Sequence, residues 1–306
     1  MTTEKLTEKM NGDVRSKLQE NTVILDLVLH HPSTTRTEKA DKVDTTADKS
    51  WVRIKKKIFD SDEYKAAFKI ELETYYWCKA RALPVGLVGF FVIPLKLIGE
   101  VYEFLNKQDE RLKEAVEKFV DGYEEMKKAS RQALDDLYDD NDYYSANELK
   151  RGFFMERKLI EIAPPSPEKI GEMLAQVEKN KAAVRWQQAE EEVVYALRES
   201  FRDLIAHLTE QLEPSADGKK KRITKSAMTK TLEWVELFKS RNVLDDAEMN
   251  KLVAQTKKIL KGRSTMVDEI RDDEGLRAKL HDEMGKVKSA LDKSLEDAPR
   301  RKFFDE

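Results

Sequence analysis

The sequence predicts a mainly α-helical protein with a minor β component: a long antiparallel helical coiled-coil hairpin, a small sheet at its base and a C-terminal helical segment. Three observations lead there. The stretch 94–138 carries an apolar seam at Leu95, Ile98, Tyr102, Leu105, Leu112, Val116, Phe119, Tyr123, Met126, Ala133 and Leu137, with only Asp109 and Ser130 polar in the series. Its steps alternate three and four residues, the repeat of a left-handed coiled coil. Charged residues make up 38% of the 306 and aromatics 8%, a balance that favours exposed helices over a thick core. Finally, short runs of β-branched and aliphatic residues end in prolines, which marks them as strands.

The expected organisation is a polar arm over 1–21, the hairpin and sheet over 22–213, a basic linker over 214–225, a helical segment over 226–295 and a charged tail over 296–306. TVILDLVLH at 22–30 reads as a strand that Pro32 stops. Residues 33–50 lack periodicity and read as a loop. Trp51–Phe59 reads as an amphipathic helix with Lys55, Lys56 and Lys57 on its wet face. Ser61 supplies an N-cap for a helix to about Arg81, with Tyr64, Phe68, Leu72, Tyr75 and Tyr76 at helical spacing. Val88–Ile93 reads as a buried strand, and Pro94 opens the long helix. FFMERKLIEI at 153–162 reads as a third strand, able to join the other two.

Ser166 and Pro167 start a second long helix, predicted to run to about Leu212. Its seam reads Ile170, Leu174, Val177, Val184, Val194, Leu197, Phe201, Leu204 and Leu208, with a slip of register around 186–192. The two long helices are expected to pack against each other. Four amphipathic helices follow the linker: Ser226–Lys239, Asp245–Leu260 with Asp245 as N-cap, about Ser264–Ile270, and Glu274–Leu295.

Chemistry is sparse. The net charge of -3 implies neither strong nucleic-acid attraction nor an acidic mimic. A single cysteine, Cys78, rules out an intramolecular disulfide and suits a reducing compartment. The polar N-terminus is no signal peptide. The longest apolar run, Leu83–Leu95, is too short and too broken to span a bilayer. A cytoplasmic location and no membrane partner are therefore expected. Adjacent His30 and His31 would point to opposite faces of a strand, which does not suit one metal. DDNDYYSANE lacks the glycine and spaced oxygens of a calcium loop. Gly86-x-x-Gly89 lacks the Lys-Ser/Thr of a phosphate loop. Cys78 reads as a small buried residue. No catalytic residue, cofactor or metal site is predicted. The one candidate contact is the basic run Lys219, Lys220, Lys221 and Arg222, suited to phosphates or an acidic partner.

TVILDLVLHHPSTTR, RIKKKIFDSDEYKAAFKIELETYYWCKARALPV and GFFVIPLKLIGEVYEFLNKQDERLKEAVEKFVDGYEEM follow one another in 22–126, with Phe119 and Tyr123 closing an F-x-x-x-Y pattern. The order of segments over 22–162 resembles a bacterial and bacteriophage family of unknown function encoded beside MoxR/CobS-like AAA+ ATPases and von Willebrand A-domain proteins. The resemblance covers about half the chain and carries no active residues. It implies a non-enzymatic scaffold, accessory to such an ATPase and its A-domain companion. The alternative is a phage nucleic-acid-associated protein that binds through the basic linker. The seam leaves a homo-oligomer open, since it can be satisfied within one chain or between chains.

Overall fold

A computed structural model describes residues 16–38, 46–85, 89–161, 163–213, 223–263 and 266–296. It is mainly helical, with a small antiparallel sheet. Among the described residues no helix is long and apolar enough to cross a membrane.

The chain enters through α1 (Lys17–Asn21), closed by a capping box between Ser16 and Gln19. It continues directly into β1 (Thr22–His30), the centre of a sheet ordered β4-β1-β5, with β4 at Phe90–Pro94 and β5 at Phe154–Ile160. Both pairings are antiparallel; Leu25 lies opposite Phe91 and Leu159, and Ile24 opposite Val92 and Ile160. The three runs expected to be strands thus fold as strands of one sheet. Successive side chains on a strand face opposite ways. Leu25, Phe91 and Ile93 face one core with Cys78, Val101 and Leu105, whereas Ile24 and Val92 face another with Leu197 and Phe201.

Two stretches depart from expectation. β2 (Thr35–Glu38) falls inside the expected loop, and β3 (Ile54–Lys57) inside the expected helix; the two pair antiparallel. Lys49–Trp51 forms only a 3-10 turn. The reason is period two: Lys56 and Ile58 are buried while Lys55 and Lys57 are exposed. A lysine at an inward position hid that alternation.

α2 (Asp62–Arg81) starts at Ser61, whose hydroxyl accepts from the Tyr64 amide. It packs on α3 (Ile98–Asp121), which follows a 3-10 turn at Leu95–Leu97. α4 (Tyr123–Leu134) continues beyond Gly122. Phe59, Tyr64, Phe119, Tyr123 and Phe153 meet edge to face or tilted between these helices, with centroids 5.2 to 6.1 Å apart. α5 (Ala146–Gly152) closes this lobe. Gly152 is required there, because a Cβ would lie 2.7 Å from the Pro32 ring.

α6 (Pro167–Ile170) is a single turn begun by Ser166 and Pro167. Gly171, at φ +80°, breaks it from α7 (Glu172–Leu212), 41 residues and roughly 60 Å long. α7 packs on α8 (Lys225–Arg241) and on α11 (Glu274–Glu296); α9 (Ala247–Leu260) packs on both, and α10 (Val267–Asp272) on α11. Asp246, not Asp245, caps α9 by accepting from the Met249 amide; Asp245 has φ +59° and makes the turn. α11 runs antiparallel to α7. At one end Arg277 donates to the carbonyls of Gln211, Leu212 and Glu213, closing the C-terminus of α7. At the other, Arg198 donates to Ser294 O at 3.0 Å. Arg271 of α10 donates to Ile223 O at 3.1 and 2.8 Å.

The two long segments therefore lean chiefly on different partners, α3 on α2 and α7 on α11, and a coiled-coil hairpin between them does not describe the packing. The buried stripe from α3 into α4 explains why. It runs Val101, Leu105, Gln108, Leu112, Val116, Phe119 and Tyr123, stepping four, three, four, four, three and four. That is the pitch of an ordinary helix on a globular core, not the shorter repeat of a supercoil.

Candidate functional site

The basic run Lys219, Lys220, Lys221 and Arg222 lies outside the described residues, as does Gly86 of the glycine pair. The second basic stretch is accounted for. Lys56 Nζ lies 2.8 Å from Glu38, 2.6 Å from Asp142 and 2.6 Å from the Leu137 carbonyl, tying the β2–β3 hairpin to the segment after α4. The acidic string is likewise cross-linked. Asp139 Oδ1 accepts from the Asn141 amide at 2.9 Å, and Asp140 pairs with Lys127 at 2.9 Å and accepts from Tyr138 at 2.8 Å. Cys78 is fully buried, and burial pushes its thiol up to about 12 against the opposing charge of Arg81, so it is protonated at neutral pH.

The histidine pair is more organised than its sequence suggests. His30 ends β1; its Nδ1–H donates to the Gly152 carbonyl at 2.6 Å, and its ring stacks on Phe154 at 5.0 Å. His31 turns to α2, where its Nδ1 meets Glu71 Oε2 at 2.8 Å while its ring edges against Phe68 at 4.8 Å. Glu71 is 3% exposed, and its Oε1 is buried without a partner. Burial raises the pKa of Glu71, and the hydrogen bond from His31 works in the other direction. Beside it Tyr64 donates to the Pro32 carbonyl at 2.9 Å, and burial pushes its hydroxyl up to about 12. The Nδ1–Oε2 contact fixes the His31 ring against α2. The two residues form a dyad, not a metal set: among the described residues no group of three His, Cys, Asp or Glu side chains is placed to hold a metal ion. Sequence reasoning noted the histidines and missed Glu71, which lies forty positions away on another element.

The N-terminal half of α7 carries exposed apolar side chains. Met173 is 85% exposed, and Leu174, Val177 and Val184 between 42 and 53%. These last three were expected to form the first half of a seam; instead they lie on the surface along roughly 15 Å of helix. Burial resumes beyond Trp186 and Ala189, which touch the bundle, and is complete at Val193, Leu197, Phe201, Ile205, Leu208 and Leu212. Glu178–Lys181 at 2.8 Å and Gln176–Asn180 at 3.0 Å hold the flanks of the exposed turns. A depression of about 450 Å3 on α11, lined by His281, Asp282, Gly285, Lys286 and Ser289, has walls from that one helix only. Small-molecule sites are usually concave and enclosed by several elements.

Fold and surface together define a mainly helical protein with a small antiparallel sheet and a long helix whose N-terminal half leaves apolar side chains exposed. Neither a family model, nor a curated protein, nor a solved structure matches the chain.

Proposed function

We propose that the protein is a non-enzymatic docking protein that offers the N-terminal half of α7 to a protein partner. The observation that carries this is the stripe Leu174, Val177 and Val184, left on the surface of a helix whose other half is the spine of a packed bundle. Apolar side chains left exposed along one face of an ordered helix often mark an interaction site. Each of the three is already about half buried, so covering the remainder contributes about 0.7–1.5 kcal/mol apiece before the cost of association is subtracted. The partner that suits an isolated amphipathic helix is a protein with an elongated apolar groove. The resemblance of 22–162 names the candidates: a MoxR-type AAA+ ATPase and its von Willebrand A-domain companion.

The test replaces Leu174, Val177 and Val184 together by Gln, a good helix former. The expected result is an unchanged melting temperature, with recovery of the ATPase or the A-domain protein from the native host by the wild-type chain only. Recovery of neither by the wild type, or equal recovery by the variant, overturns the proposal.

A further inference from the structure

The central sheet has two edges, and they are finished differently. On β4 the Leu83 amide donates to the Val92 carbonyl at 2.8 Å, and the strand ends in Pro94, which has no amide hydrogen to offer. β5 pairs with β1 on one side only. Among the described residues no other strand, turn or loop makes a backbone hydrogen bond to 154–160. The outward amides and carbonyls of this seven-residue strand are a template for another strand.

Charged residues on an edge commonly discourage pairing. Those of β5 are arranged otherwise. Its sequence, FMERKLI, reads apolar, apolar, acidic, basic, basic, apolar, apolar, with Arg157 in the middle. An antiparallel copy related by a two-fold axis at Arg157 would set Phe154 opposite Ile160, Met155 opposite Leu159 and Glu156 opposite Lys158. Each acid then meets a base, and each apolar residue an apolar one. An axis at Glu156 or at Lys158 would instead oppose like charges and set apolar residues against charged ones. At the chosen axis Arg157 meets its own copy, but its guanidinium is turned away. Nη2 donates to Asn106 Oδ1, and the group stands 5.5 Å from the Tyr102 ring, both on α3.

Phe154 and Leu159 are 40 and 44% exposed, so both have surface left to cover. Glu156 and Lys158 are exposed on one face of the strand, 2.9 Å apart, and Lys158 lies opposite Asp26 of β1. Across the axis one row would read Asp26, Lys158 and the copy's Glu156, with signs alternating. Opposite charges directly across a pair of strands stabilise it, and like charges destabilise it. We propose that β5 pairs with β5 of a second copy of this chain, antiparallel about Arg157, joining two three-stranded sheets into one continuous sheet. The pairing uses no residue of α7. A contact made mainly by one strand edge is small, so the dimer is a weak one in equilibrium with the monomer.

Sedimentation equilibrium of the full chain, from micromolar to submillimolar concentration, is expected to show a reversible monomer–dimer equilibrium. Glu156→Lys or Lys158→Glu alone sets like charges opposite one another twice and is expected to weaken the dimer about tenfold. The two single variants mixed together, and the double variant Glu156→Lys/Lys158→Glu, are expected to regain it, because each restores opposite charges across the axis. A wild-type chain that stays monomeric throughout overturns the proposal. So does a dimer that the single reversals leave unchanged, or one that neither the mixture nor the double variant restores. If Lys158→Glu, which also faces Asp26, does not fold, hydrogen exchange of the wild type decides. Slower exchange of the 154–160 amides at high than at low concentration supports the pairing, and equal exchange refutes it.

Discussion

Glu71 is packed inside the N-terminal lobe with one carboxylate oxygen on His31 and the other on nothing. Because burial raises its pKa, the folded chain holds that proton more tightly than the unfolded one. The stability it contributes is therefore fully present below the unfolded carboxylate pKa of about 4.3 and is lost as pH rises through the raised folded value. Glu71→Gln is expected to flatten this fall, so that the variant gains on the wild type as pH increases. Melting temperatures of both proteins from acid to mildly alkaline pH check it; a variant slope equal to that of the wild type would refute the assignment to Glu71. Nothing local in the sequence singled out Glu71. α2 carries large side chains on several faces, and the bulky series Tyr64, Phe68, Leu72, Tyr75 and Tyr76 suggested its inner side. The structure instead buries Tyr64, Ala67, Ile70, Glu71, Thr74 and Cys78 and leaves Leu72, Tyr75 and Tyr76 exposed.

At the level of elements, regular patterns were readable and compensated ones were not. β1, β4, β5 and the helices after the linker fall close to where periodicity put them. β2 and β3 escaped because Lys56 occupies a core position and is made tolerable by Glu38 and Asp142, both distant in sequence. The seam of 94–138 correctly implied one almost continuous helix, interrupted at Gly122. That interruption is not needed sterically. A Cβ at Gly122 would lie 3.9 and 4.0 Å from the carbonyls of Lys118 and Phe119, ordinary contacts, and the backbone there is already helical at φ -88°. Gly122→Ala is expected to stabilise the protein by about 0.5–1 kcal/mol, since glycine loses more chain entropy on folding. A higher urea midpoint at unchanged m-value is the corresponding readout. A lower midpoint would mean that the joint between α3 and α4 needs its flexibility.

On the scale of the whole molecule, the three-stranded sheet is a shared wall. One face closes the lobe of α2 and α3, and the other meets the bundle of α7, α8, α9 and α11. Leu25 is fully buried in the first face, one residue from Ile24 in the second. Leu25→Ala is expected to cost about 2–5 kcal/mol. Because β1 serves both sides, in a background with Trp51, Trp77 and Trp186 replaced by Phe, tyrosine signals from the N-terminal lobe and the emission of Trp234, stacked on Phe201 in the bundle, are expected to shift to lower urea together. A shift in the tyrosine signal alone would mean two independently folding halves. The sequence announced that both long helices need partners, yet it could not say which. Apolar stripes specify burial, whereas the choice between α2 and α7 as the neighbour of α3 is made by the sheet that seats them.

The arginines of α10 and α11 carry a last implication. Arg277 grips the chain as it leaves α7 at Glu213, and Arg271 grips it as it returns at Ile223. Two arginines from neighbouring helices thus fix where the chain leaves α7 and where it re-enters the bundle ahead of α8, so the order of these helices is secured by side chains reaching for backbone carbonyls.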